Sequence, residues 1–379
     1  MLLWFAGADL RMTLLAVPPL LPIIHRDLGL SESGVAALTN VPVLLLGLAA
    51  IPGSFLIARF GARPALVGAL LLVGAAALLR GVGSSTPVLF GMTALMGLGI
   101  AFAQPALPTL TRDWFPEHIS RVTGLWANGL LVGEALAASL TLPVLLPLFG
   151  GAWGPALDGW GAIPILTALG FALLPRIDAA PVPTLARWLP DFRNPVSWQL
   201  GFFQSAASLT YFGANTFVPD YLHATGKPEL VAACISALNV AQIPASLAIG
   251  LIPFRLLAKR GVPVAVALTM LGALAALRFG GAAGAVTGTA LLGFCAAYVL
   301  VFSFALPALL ASGADVARLS AATFTIGYTT SFCTTLAAGA AWDALHEPAL
   351  AFLPVVAGAF IVAALGITLA RAALRNAPA

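Results

Sequence analysis

Three ionisable side chains interrupt stretches that are otherwise apolar. Asp9 and Arg11 lie in "FAGADLRMTLLAVPPLLP" (5–22) and Glu134 in "LVGEALAASL" (131–140). A guanidinium does not deprotonate, and its planar fork of donors suits a carboxylate-like anion. A carboxylate near it has two roles open to it. It can neutralise the arginine as a fixed structural pair, or it can take up a proton while an arriving anion takes its place on the arginine. Glu134 is the main candidate for either role. Asp9 is the lesser one, because two residues along a helix turn it about 200° from Arg11.

A second set of polar groups accompanies these charges. Gln204, Ser208, Tyr211 and Asn215 are spaced 4, 3 and 4, which keeps them within about 40° of one helical face. Such a stripe must face a cavity or hydrogen-bond a neighbouring helix. Thr325, Tyr328 and Thr329 repeat the theme, as do Asn239, Gln242 and Ser246. Gln104 precedes Pro105, whose missing N–H frees a carbonyl at similar depth. Asn40, Trp126, Asn128 and Tyr298 are further polar or aromatic positions, with packing the competing reading for the aromatics. Arg11, Gln104, Gln204, Tyr211, Asn215, Tyr298 and Tyr328 are therefore the candidate substrate contacts. Glu134 and Asp9 are the candidate proton-coupling or ion-pair groups.

These side chains are positioned by membrane helices. Apolar residues make up 60% of the 379, charged residues only 8%, and mean hydropathy is +1.00. A soluble domain carries roughly 25% charged residues, so this surface is built for lipid. Each crossing needs about 20 mostly apolar residues. The sequence offers twelve such runs, near 2–24, 34–58, 64–82, 87–111, 120–148, 153–174, 198–224, 229–257, 263–280, 284–311, 319–344 and 350–373. They lack the alternation of a membrane barrel, so the fold class is an all-helical membrane protein. The opening "MLLWFAGADLRM" has no basic n-region or cleavage site and reads as a first membrane helix. At ~1.5 Å per residue Arg11 lies about 13 Å into a ~30 Å core.

Of the 18 Lys and Arg residues, thirteen fall in loops on the side of the amino terminus. Four (Arg26, Arg80, Lys227 and Arg278) fall on the other, and Arg11 is inside a helix. This bias predicts both termini in the cytoplasm. The longest polar stretch, 176–197, divides the chain almost in half, and the halves repeat weakly. "IPGSFLIARFGARP" (51–64) matches "IPFRLLAKRGVP" (252–263), and "ALPTLTRD" (106–113) matches "ALPALLAS" (305–312). The expected organisation is an N-terminal six-helix bundle (1–175), a cytoplasmic linker (176–197) and a C-terminal six-helix bundle (198–379), pseudo-symmetric by duplication. The 38 glycines and 28 prolines suit bent, closely packed spans. "GLLVG" (129–133) places Glu134 beside a tight helix contact.

Several classes are excluded. The basic residues are scattered without an aromatic-basic patch, so nucleic acid is not the partner. There is no phosphate loop for an ATP-driven pump, and no His/Cys cluster or nucleophile elbow for an intramembrane enzyme. Cys234, Cys295 and Cys333 are far apart in apolar runs and read as packing residues.

The plan of two six-helix halves resembles the major facilitator superfamily. That family carries a Gly-x-x-x-Asp-Arg/Lys-x-Gly-Arg-Arg signature after span two, where this chain reads "GSFLIARFGARP". Gly61 and Arg63 match and Arg59 supplies a cation, while Ser54 and Ala58 stand at the Gly and Asp positions. Three stretches are similar to the cyanate transporter and 2-nitroimidazole transporter branch: "ADLRMTLLAVPPLLPII" with "RDLGLSESG", "LTNVPVLLLGLAAIP", and "GLGIAFAQPALPTLTRDWFPEHISRVTGLW". Asp9 stands where the branch has Asn before Leu-Arg, and Met12 where it has Pro. The resemblance implies a multi-pass inner-membrane transporter working by alternating access. Spans one, four, seven and ten would line its cavity, and it would act as a monomer in the bilayer without a cofactor. The implied cargo is a small cyanate-like anion taken up with protons. The rival cargo is a neutral planar compound such as a nitroimidazole, exported while Arg11 and Glu134 stay paired.

Overall fold

The computed structural model describes residues 1–30, 32–175 and 188–376, and every regular element among them is helical. The twelve runs become twelve helical spans. Span one is Leu2–Leu15 with Leu21–Leu28; span two is Glu32–Leu48 with Ala50–Phe60; span three is Ala62–Leu79; span four is Thr86–Trp114. Span five is Ile119–Leu140, carried on by a π-helical turn, Thr141–Leu145; span six is Trp153–Asp158 with Ala162–Leu173. Spans seven to nine are Pro195–Ala224, Val231–Leu251 and Gly261–Phe279; spans ten to twelve are Gly281–Leu310, Ala314–Leu345 and Leu353–Asn376. Among the described residues nine helices are long and apolar enough to cross a membrane, and the bent pair of span two makes a tenth. Spans seven and eleven, 30 and 32 residues long, fall outside that set. They are the spans that carry the Gln204–Asn215 stripe and the Thr325–Thr329 group.

Proline chemistry sets the breaks. Pro18 and Pro19 have no N–H to offer the carbonyls of Leu14 and Leu15, so the first half of span one ends at Leu15 and a single 3-10 turn follows. Pro52 likewise cannot bond the Leu48 carbonyl, and span two bends by 49° there. In span four the helix runs unbroken through Pro105 and Pro108, with the Thr109 hydroxyl donating to the Pro105 carbonyl at 2.8 Å.

The chain clusters into two compact units. The first is Met1–Trp114, Leu125–Pro190 and Gly313–Ala321; the second is Phe115–Gly124, Asp191–Ser312 and Ala322–Ala379. In the first, span three packs on spans four and six, span two on span four, and span one on span six. Its core gathers Met12, Ala16, Val17, Leu20 and Ile24 around the break in span one, against Leu38, Leu89, Trp153, Leu157 and Trp160. In the second, spans seven, eight and nine pack on span ten, and span twelve covers seven and nine.

The signature loop has a local task. Arg63 donates to the carbonyls of Phe171 (3.0 Å), Ala172 (3.2 Å), Leu174 and Pro175 (2.8 Å), so one guanidinium satisfies the carbonyl end of span six. Ser54 donates to the Trp188 carbonyl at 2.9 Å, and Phe55 meets the Trp188 ring edge-on at 5.2 Å. Arg318 holds the next carbonyl, Leu189, at 2.9 Å. The end of the linker is thus fastened to the first unit. The rest of it, 176–187 with Arg176 and Arg187, lies outside the described residues, as does the side chain of Asn40.

Candidate functional site

The first unit buries Asp9, Arg11 and Glu134 and brings Arg11 and Glu134 together, and helix spacing explains how. Trp4, Gly7, Ala8 and Arg11 follow an i, i+3, i+4, i+7 pattern, one stripe of span one. Trp126, Gly129, Leu130 and Gly133 form the same pattern on span five. The two stripes meet at backbone distance. A Cβ on Gly7 would stand 2.0 Å from the Trp126 carbonyl oxygen, one on Gly129 2.1 Å from that of Trp4, and one on Gly133 2.3 Å from that of Ala8. The Trp4 indole also donates to Asn128 Oδ1 at 3.0 Å. The register Trp4 to Gly129 and Ala8 to Gly133 makes the spans parallel, so Glu134 directly follows the Gly133–Ala8 contact and Arg11 comes within its electrostatic reach. Arg11 is 4% exposed and Glu134 7%. Glu134 Oε2 has no hydrogen-bond partner among the described residues.

Asp9 points the other way, as its 200° offset requires. It is 0% exposed and faces Thr167 of span six. The Thr167 hydroxyl donates to the Ile163 carbonyl at 3.1 Å and is the polar group that the Asp9 carboxylate meets. The carboxylate ranked second from sequence is thus buried like the first. Its signal lies in the helix-to-helix packing and not in its own stretch of chain. Gln104 is buried on span four of the same unit.

The remaining candidates belong to the second unit. Gln204 is fully buried; its carbonyl accepts from Ser303 of span ten, and its Nε2 has no hydrogen-bond partner among the described residues. Ser208 is buried on the same face, whereas Tyr211 is half-buried. Asn215 takes the helix-to-helix alternative: it donates to the Tyr211 carbonyl at 2.9 Å and accepts from Asn239 of span eight at 3.0 Å. Tyr298 donates to the Leu257 carbonyl at 3.1 Å and stacks on Phe302, which stacks in turn on Phe254. Its phenol thereby ties the short helix Phe254–Leu257 to span ten. Tyr328 is buried and stacked on Phe324.

One charged residue corrects the sequence reading. Arg80, counted there with the loop cations, is 1% exposed. It follows directly on the apolar run of span three, and "LLRGVGSS" looks like a helix running out into water. The structure instead turns its guanidinium inward to the Thr13 carbonyl at 3.0 Å and to Met96 Sδ at 3.3 Å.

These helices, breaks and buried charges are those of a membrane carrier, and the comparison with known proteins decides the family. The model of the Major Facilitator Superfamily matches residues 3–342. The chain belongs to that superfamily. Among its members, the 2-nitroimidazole transporter of Escherichia coli (strain K12) is 30% identical over 334 residues, 86% of this chain and 84% of that one. The cyanate transport protein CynX of the same organism is 29% identical over 235 residues, 61% of this chain and 60% of that one. The branch read from spans one, two, four and five is thus met by both its named transporters. Two solved superfamily structures share the fold. The E. coli fucose:proton symporter FucP superposes with a TM-score of 0.70 at 14% identity, covering 98% of this chain and 97% of that one. The proton:xylose symporter XylE does so with 0.67 at 15% identity, covering 100% and 94%. The chain is therefore a multi-pass membrane transporter of this superfamily.

Proposed function

We propose that the protein carries a small anion of cyanate size across the inner membrane by alternating access, taking it up together with protons. Arg11 is the anion-binding group, and Glu134 and Asp9 hold the coupling protons. The reading is carried by one observation: the buried Arg11 guanidinium lies within electrostatic reach of the buried Glu134, whose Oε2 has no hydrogen-bond partner among the described residues, and two residues from the buried Asp9, while the other buried guanidinium of the bundle, Arg80, is engaged elsewhere. Buried charge is tolerated only when it is balanced. With both carboxylates ionised the trio carries a net negative charge and rejects an anion. An anion is accommodated once protons neutralise the carboxylates and so offset the negative charge it brings, and cargo and proton enter together. Gln104, buried in the same unit as Arg11, is a further substrate contact of this reading. The excess of cations on the amino-terminal side supports cytoplasmic termini.

The test is uptake of labelled cyanate into proteoliposomes under an imposed pH gradient. Uptake driven by an inward proton gradient, and lost in Arg11→Gln, is the expected result. Equal uptake by the wild type and Arg11→Gln would sink the anion role.

A second reading has its own support, because the 2-nitroimidazole transporter matches more of this chain than the cyanate transporter does. Under it Arg11 and Glu134 stay paired and the cargo is a neutral planar ring, exported from the cell. Efflux of 2-nitroimidazole that is indifferent to membrane potential would select this reading.

A further inference from the structure

Arg80 sits where the first half of span one stops. That half-helix ends at Leu15 because two prolines follow, so the negative end of its dipole lies inside the bundle and not at the membrane surface. Arg80 Nη2 donates to the carbonyl of Thr13 in this last turn at 3.0 Å, and Nη1 to Met96 of span four at 3.3 Å. Asp158 of span six is its electrostatic partner, and Asp158 Oδ1 in turn accepts the Gly81 N–H at 2.6 Å. The backbones of Gly81 and Gly154 are jammed together beside them, a Cβ on Gly81 standing 2.3 Å from the Gly154 carbonyl oxygen. One side chain thus gathers spans one, three, four and six. Thr13 itself closes the turn back to Asp9, its hydroxyl donating to the Asp9 carbonyl at 2.9 Å. Arg11 lies in the middle of that turn.

We propose that Arg80 is a positioning residue for Arg11: seated on the carbonyl end of the half-helix, it fixes the height and rotation of the turn that carries Asp9 and Arg11. Burial of a guanidinium at this place is explained by the task. Thr13 could find a neutral donor as easily, but a cation also complements the helix dipole and draws Asp158 in from span six. Arg80 touches no cargo in this scheme and acts through the residue that does. The kinetic half of the proposal rests on Arg11 binding the anion; the structural half does not.

Hydrogen exchange by mass spectrometry on the full chain in lipid nanodiscs separates the two halves. In Arg80→Gln the amides of residues 9–17 exchange about tenfold faster than in the wild type, while spans eight to twelve keep wild-type rates. Arg80→Lys restores most of the protection, and Asp158→Asn gives an intermediate loss. In proteoliposomes, cyanate KM rises about tenfold in Arg80→Gln with kcat within roughly twofold, and Arg80→Lys recovers most of it. Wild-type exchange over 9–17 in Arg80→Gln overturns the proposal, as does a Vmax that falls only in step with the amount of folded protein at unaltered KM. If Arg80→Gln does not fold, Arg80→Lys and Asp158→Asn decide: unchanged exchange over 9–17 in both overturns it. If the wild type itself takes up no cyanate, the anion reading fails while the exchange result still decides the role of Arg80.

Discussion

Gly133 of span five lies directly on the backbone of Ala8 of span one, leaving no room for a side chain: a Cβ there would stand 2.3 Å from the Ala8 carbonyl oxygen. This contact sets the distance at which Glu134 meets Arg11. Gly133→Ala forces the two backbones apart and is expected to destabilise the bundle by about 1–3 kcal/mol. Thermal unfolding in detergent checks the stability, and Gly133→Leu is expected to be worse than Gly133→Ala.

Under the proposed anion reading, removing the Arg11 guanidinium removes charge-assisted hydrogen bonds to the cargo. Arg11→Gln is expected to weaken cyanate binding by about 2 kcal/mol, roughly thirtyfold. Equilibrium binding to purified protein measures it. Arg11→Lys recovers only part of the affinity, since a point charge cannot make the bidentate pair.

The two carboxyl groups separate coupling from binding. Glu134→Gln and Asp9→Asn each remove a proton site while keeping the shape, so counterflow of cyanate persists in both. Concentrative uptake driven by the proton gradient is expected to fall in each and to vanish in the double variant. A double variant that still accumulates cyanate in response to a pH step excludes both carboxyl groups from coupling.

Arg63 donates to four carbonyls at the end of span six. Arg63→Gln leaves most of them without a protein donor and is expected to cost about 1–3 kcal/mol of stability. The loss shows in the thermal unfolding of the variant, with cyanate KM unchanged.

The fold was legible because lipid demands long apolar runs, and each of the twelve runs became a helical span. The burial of Arg11 and Glu134 was legible for the same reason, since a charge inside such a run must lie within the bundle. Arg80 was not, because a cation at the end of a run, before glycine, has the same local sequence whether it meets water or turns inward. Its fate depends on the half-helix of span one and on Asp158, far off in the chain. The surroundings of Asp9 were not legible, because they come from span six and not from its own stretch of chain. Tyr298 and Asn215 read alike as polar groups in oil, and only the packing shows one bonding a backbone carbonyl and the other a neighbouring asparagine.

Spans seven and eleven, too polar to be counted among the nine apolar helices, have a bearing on biogenesis. A segment leaving the insertion channel partitions into lipid by its own hydrophobicity, and these two lack the drive to do so alone. Span seven gains its shelter from spans ten and twelve, which are synthesised after it. Its final packing in the bilayer therefore depends on helices that emerge after it. A nascent protein truncated before span ten would strand that segment at the water interface, a ready substrate for membrane quality control.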